Sequence, residues 1–294
     1  MTLRAVRVAG IACVSAVLCL GRDCASAAGD RETSRSFEVT IESQLDMTVQ
    51  GAKQKIQADT GIRYTLVRRG REVTVVFDEV RVKATNNGAE LMNTTMSADK
   101  FVTVNQGKVQ EVRAADAPEE LKKLLADSFG VPLCRILLDA DGKETKRTIV
   151  AGPGAKSLLD NGLIAGARLF HVAFPPKDRR WEASSEVSMG NGGYARGVLT
   201  YEKTEALKPG QTPAKVSGTL TCERFSPPNS PVAVKDARYA VKGTQTYDSA
   251  AGEWTSGDLS LEISFDLEAD GKPTGSAKGV MQLKLKSLSK PGPR

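Results

Sequence analysis

Several short stretches hold residue types that can do chemistry, and each needs a particular element beneath it. Ser97-Ala98-Asp99-Lys100 fits Ser-x-x-Lys, a nucleophile pattern that requires a helix and Ser-Asp-Asn and Lys-Thr-Gly partners. Neither partner is present, and a strand starts near residue 101. Ser287-Leu288-Ser289-Lys290 matches the same pattern in the tail, which shows how easily it arises by chance. His171, the only histidine, lies in the apolar run Leu169 to Phe174, and no Gly-x-Ser-x-Gly elbow supplies it with a serine. Asp139-Ala140-Asp141-Gly142 resembles the start of a calcium loop, but Val150 stands where the closing glutamate is needed. A hairpin turn explains the same residues. Gly152-Pro153-Gly154-Ala155-Lys156-Ser157 misplaces the glycines of a phosphate loop and reads as a link before a short helix at 155–160. Carboxylates are plentiful, but no pair stands out in the aromatic-rich setting that glycosidases use. Trp181 and Trp254 are expected in the core or at its rim. No catalytic, cofactor-binding or metal-binding residue is assigned, and the expectation is a non-enzymatic protein.

The chain has 294 residues, of which 40% are hydrophobic, 26% charged and 5% aromatic, with a formal net charge of +6. That composition is globular and allows one large domain or two small ones. The N-terminus carries Arg4 and Arg7, an uncharged apolar run from Val8 to Leu20, and Ala25-Ser26-Ala27. This is the layout of a secretory signal peptide, and cleavage is expected after Ala27. The apolar run is shorter than the roughly 20 residues that span a bilayer. A lipid anchor on Cys13, Cys19 or Cys24 is the lesser reading, because Cys24 follows Arg22-Asp23. Cleavage would remove Arg4, Arg7 and Arg22 from the 41 bases and Asp23 from the 35 acids. The result is 38 against 34, a net +4. A small, dispersed excess suits weak attraction to anionic lipid or wall polymer, not nucleic acid. The expected location is periplasmic or extracellular, with no transmembrane segment after cleavage.

Cys134 and Cys222 would then remain. In an oxidising compartment they can form a disulfide, and two separate buried thiols fit their strand-like surroundings equally well.

The elements are mostly strands. Residues 28–36 are small and polar, a flexible leader by composition. Phe37, Val39 and Ile41 then alternate with polar residues, as do Ile62-Tyr64-Leu66 and Val73-Val75-Phe77. Alternation of this kind belongs to antiparallel sheet with one buried face. Turns are expected at Gln50-Gly51, Arg69-Gly70, Asn86-Asn87-Gly88, Asn105-Gln106-Gly107, 139–143, 247–253 and Asp270-Gly271. Further strands are expected at Val216 to Cys222, Tyr239 to Thr246, Leu259 to Leu267 and Gly279 to Lys286.

Pro118 to Phe129 breaks the pattern. Leu121, Leu124, Leu125 and Phe129 share helical spacing, Glu119 and Glu120 suit the first turn, and Gly130 suits the stop. The expected fold is mainly β: an antiparallel curled sheet or incomplete barrel with one amphipathic helix covering a face. Residues 37–288 form this β-rich region, as one domain or as two halves joined near 150–170. Residues 289–294 are a disordered tail by composition.

Three stretches resemble a family of exported bacterial proteins of unknown function from planctomycete-type genomes. They are Phe101 to Val109 with the helix after it, Phe174-Pro175-Pro176-Lys177 leading to Trp181, and Gly243 to Asp248 through to Leu259. The chain departs from that family at Asp178-Arg179-Arg180-Trp181, where a Gly-Asp-Ser-Trp-like end is usual. The resemblance implies a secreted β-rich protein and no activity. In outline the fold is also similar to periplasmic lipoprotein carriers, whose half-barrel and helix enclose a lipid. The leading functional expectation is therefore a protein binding an apolar ligand or lipid, with Leu121, Leu124, Leu125 and Phe129 lining the cavity or filling a core. The alternative is an envelope structural or interaction protein with a protein or polymer partner, and an uncharacterised hydrolase comes third.

Overall fold

The computed structural model describes residues 32–105, 107–138, 144–150, 152, 178–190, 193–205, 208–226, 230–249 and 253–288. The expected signal peptide, the 28–31 part of the leader, the short helix at 155–160, His171 and the tail from 289 lie outside them. So do the turn residues Asp139 to Gly142 and the inter-half segment 153–177.

Fourteen strands make one antiparallel sheet among the described residues. They are β1 (Thr33–Val49), β2 (Ala52–Arg69), β3 (Glu72–Asn86), β4 (Ala89–Ser97), β5 (Lys100–Asn105), β6 (Lys108–Arg113), β7 (Pro132–Leu138), β8 (Glu144–Ile149), β9 (Arg180–Gly190), β10 (Gly193–Lys203), β11 (Gln211–Phe225), β12 (Val232–Asp248), β13 (Glu253–Ala269) and β14 (Lys272–Ser287). The main path runs β6-β5-β4-β3-β2-β1-β14-β13-β12-β11-β10-β9, and β7 and β8 branch from β3. The sheet is not closed. It is a meander whose first and last long strands pair from Phe37↔Ser287 to Val49↔Gly275. That pairing joins the two β-rich halves in one sheet. β1 begins at Thr33, so the leader expected over 28–36 is already strand at residues 33–36, where Ser36↔Thr65 pairing holds it.

The turns follow the backbone chemistry of their residues. Asn87-Gly88 and Asp270-Gly271 both adopt positive φ at both positions, as tight hairpins with the right-handed strand twist require. The strands between such turns are long: 17 residues in β1 reach about 55 Å at the usual rise per residue.

Alternation places one face inward. Phe37, Val39 and Ile41 on β1, Ile62, Tyr64 and Leu66 on β2, and Met281, Leu283 and Leu285 on β14 are all buried. Residues from β9 to β12 belong to the same continuous core cluster, including Val187, Leu199, Tyr201, Val216 and Val241. A single sheet can bury its own apolar face in this way only by curling over it. At one end of the core Trp181 stacks on Tyr201 at 5.1 Å, and Tyr247 meets Trp254 edge-on at 5.6 Å. Both tryptophans therefore serve the core and its rim.

The one α-helix among the described residues, α1 (Glu119–Ser128), leads the chain to a fork in the sheet. The free edge of β3 is shared. Its first part, Glu72–Val76, pairs with β7, and Glu79–Asn86 pairs with β4. The changeover falls at Phe77-Asp78, where the ladder would leave an orphan carbonyl. Gly130, directly after the helix, donates its N–H to Phe77 O at 2.8 Å. Gly130 has φ +69°, which turns the chain there and ends the helix.

Candidate functional site

The four helix residues expected to line a cavity or fill a core are largely core. Leu125 and Phe129 are 0% and 2% exposed, and Leu121 packs against the same cluster from a half-buried position. Leu124 is half-buried on the helix flank. Two open depressions lie elsewhere, on the outer polar face, and the helix lines neither. Of the two readings left open for the cysteines, separate thiols is the one found, and the disulfide is not formed. Cys134 is buried on β7 and Cys222 half-buried on β11, and the path β7-β3-β2-β1-β14-β13-β12-β11 runs between their strands. Burial pushes the Cys222 thiol above its ordinary pKa, with smaller opposing effects from the Arg224 backbone and Arg196.

Ser97 to Lys100 spans the end of β4, a bend and the first residue of β5. No helix carries the serine to the lysine, and Lys100 instead faces Glu111 at 3.3 Å. No cluster of three or more potential metal-binding side chains occurs among the described residues.

The inner apolar face runs beyond its cover. Strands β3 (from Val80), β4, β5 and β6 form a wing. Along one inward row Ile41 is 7% exposed, Thr60, Val82, Thr94 and Thr103 are half-buried, and Gln110 is exposed. In the next row Val80 is fully buried, while Met96, Phe101 and Val112 are half-buried. One row toward the tip, Met92 is 40% exposed opposite Ala84. Sequence reasoning missed β4, because Leu91 and Met92 stand side by side and interrupt the alternation. The cause is the register shift between Ala84 and Thr85, which gives β4 one extra residue. The signal that could have found it is the spacing of Met92, Thr94 and Met96 after the Asn87-Gly88 turn.

The outer face over β1 to β3 is charged and internally paired. Glu38 accepts from Arg63 Nε at 3.1 Å and from Arg81 Nη2 at 2.9 Å. Glu79 lies 3.2 Å from Arg81 and 3.8 Å from Arg63, which makes a ring of four alternating charges. The Arg81 guanidinium lies over Gly61, where an added Cβ would stand 3.2 Å from it. Beside this ring an open groove of about 560 Å³ crosses β1 to β4, bearing Glu42, Asp59, Arg81, Lys83 and the hydroxyls of Thr40 and Thr95. A hydroxyl ladder, Ser36 to Thr65 at 2.9 Å and Thr65 Oγ1 donating to Asp78 at 2.8 Å, runs beside the ring. No helix among the described residues is long and apolar enough to cross a membrane.

These features define an open, curled antiparallel sheet with a partly uncovered apolar face and a charged outer face. No family model matches the chain, and no curated protein matches it. Among solved structures it is similar to one titled for lipid–protein interactions in lipovitellin, at 11% identity and a TM-score of 0.46, over 90% of this chain and 26% of that one. The chain thus spans about a quarter of that protein. It is also similar to the OccK5 (OpdH) structure of Pseudomonas aeruginosa, at 8% identity and a TM-score of 0.25, over 87% and 98% of the two chains. Both likenesses are too distant to carry a functional argument.

Proposed function

We propose that the chain is an exported, non-catalytic binding protein that holds an apolar, lipid-like ligand against the inner face of the wing. The observation that carries this reading is the gradient of cover along that face. The apolar surface stays continuous from the core to Met96 and Phe101, with Val112 half-buried opposite Phe101, but the cover above it thins out. An acyl chain laid there would complete the burial that the fold leaves unfinished, at about 25 cal/mol per Å² of apolar surface covered. Met92 and Met96 suit a ligand of variable shape, because thioether side chains repack readily. The engagement of Glu38 and Glu79 with two arginines supports a structural rather than catalytic use of these carboxylates. Membership of the exported planctomycete-type family, and an oxidising location outside the cytoplasm, belong to the same proposal.

The test is native mass spectrometry of the protein purified gently from its own envelope, followed by uptake of a fluorescent fatty acid. The expected result is an added mass of lipid size, with uptake reduced at least tenfold by Phe101→Asp. A bare chain that takes up no fatty acid would end the proposal.

The groove over β1 to β4 favours a second reading, an envelope interaction protein. Its charges of both signs and its threonines suit a hydrated polymer or extended peptide. Partner capture that weakens with salt and is lost in Arg81→Ala, with fatty-acid uptake absent, would select that reading.

A further inference from the structure

We propose that the outer-face depression beside the β1–β2 turn binds a phosphate-type oxyanion. The inference is independent of the ligand proposed for the wing, since it concerns the opposite face of the sheet and a different chemistry. The depression holds about 510 Å³. Its shape follows from register. Asp46 on β1 stands opposite Lys55 on β2 and opposite Lys278 on β14. Two residues on, Thr48 stands opposite Lys53 and Ser276. Met47, between them, is buried in the core, so Asp46 and Thr48 project outward with their cross-strand neighbours. Directly opposed side chains start about 5 Å apart at Cβ, so three flexible ammonium groups can reach one point.

The charges there do not balance. Among the residues that line it, Lys53, Lys55 and Lys278 stand with one carboxylate, Asp46, while Asp266 flanks it from β13 opposite Ser276, and among the described residues none of the three lysines makes an ion pair. Elsewhere on the same face the pattern differs. Lys242 meets Glu262 at 2.6 Å, and Arg63 and Arg81 share Glu38 and Glu79. The β3–β4 turn braces the depression from the side. Asn87 Oδ1 accepts from the Lys55 N–H at 2.8 Å, and the Asn87 N–H donates to Lys55 O at 2.8 Å. That leaves the Asn87 Nδ2 amide and the Thr48 and Ser276 hydroxyls as neutral donors beside the ammonium groups. A tetrahedral anion with several acceptor oxygens and one to two negative charges matches this set.

Such a group can be free phosphate or the headgroup phosphate of a lipid. The hairpin that supplies Asn87 also carries Leu91, 56% exposed, which would meet the acyl region in the second case. The experiment has two arms on the natively purified protein. Inorganic phosphate is titrated calorimetrically at low salt, and vesicles of phosphatidylglycerol or of phosphatidylcholine are sedimented with the protein. Lys55→Gln and Lys278→Gln should each weaken binding about fivefold, the effect of one ammonium charge about 4 Å away in water. Asp46→Asn should strengthen it by a similar factor. All three positions are exposed, so the melting temperature should not move, and Lys53→Gln serves as a replacement if one variant misfolds. Binding of inorganic phosphate alone assigns the site to a soluble phosphate, and added binding to phosphatidylglycerol vesicles assigns it to a lipid headgroup. The proposal is overturned if neither probe binds, or if Lys55→Gln and Asp46→Asn change binding in the same direction.

Discussion

Leu125→Ala tests whether α1 is a structural plug or a removable cover. Leu125 is fully buried in the core cluster, as is Phe129 one turn later at 2% exposure. Truncating a leucine in so closed a place removes its transfer energy and leaves a cavity, at a cost of about 3 to 5 kcal/mol. For a chain of this size each kcal/mol lowers the melting temperature by roughly 2 to 4 °C. The expected fall is therefore about 10 °C. Leu124→Ala, on the half-buried flank, should cost about 1 kcal/mol or less. The assay is thermal unfolding followed by circular dichroism, with urea unfolding as a second measure and fatty-acid uptake recorded on the same samples. If α1 instead covers a ligand space, Leu125→Ala would leave melting nearly unchanged and alter uptake. A fall below about 3 °C would refute the assignment of the helix to the core.

Glu262 is exposed, and the hydrogen bond from Lys242, followed by its charge, holds the carboxyl below the usual carboxylate range. A depressed folded-state pKa gives stability that is present above the unfolded carboxylate pKa and lost as pH falls through the folded value. NMR titration should return Glu262 to the usual range in Lys242→Gln. Alkylation without prior reduction should label both Cys134 and Cys222 once the chain is unfolded, and in the native state Cys222 should react more slowly than a free thiol at pH 8, because burial keeps it protonated. Gly279→Val should destabilise the fold by about 2 kcal/mol or more, because a Cβ at residue 279 runs into the Gln44 carbonyl of β1. Unfolding in urea would check this, and a neutral effect would mean that β1 and β14 are not so closely apposed.

Much of the fold was legible because its causes are local. Period-2 text such as Phe37-Val39-Ile41 needs no partner to declare a buried face, and Asp270-Gly271 declares a turn through the φ angles its residues tolerate. The helix of Leu121, Leu125 and Phe129 was equally plain, since its spacing, its acidic first turn and its terminal glycine are all written within a dozen residues. Where bulges displace the pattern, legibility failed. The extra residue at Leu91 hid β4, and with it the uncovered wing.

The sequence by itself determined the secondary structure class, the inward and outward sets of most strands, and the sites of the hairpin turns, because these depend on neighbours a few residues apart. Tertiary structure alone decided that β1 pairs with β14, that β3 divides its edge between β7 and β4, and that Cys134 and Cys222 do not pair. It also decided that Lys55 and Lys278 stand on either side of Asp46 in one row of the sheet. Those outcomes depend on strand order and on how far the sheet curls, which are set by summed twist and by burial across the whole chain.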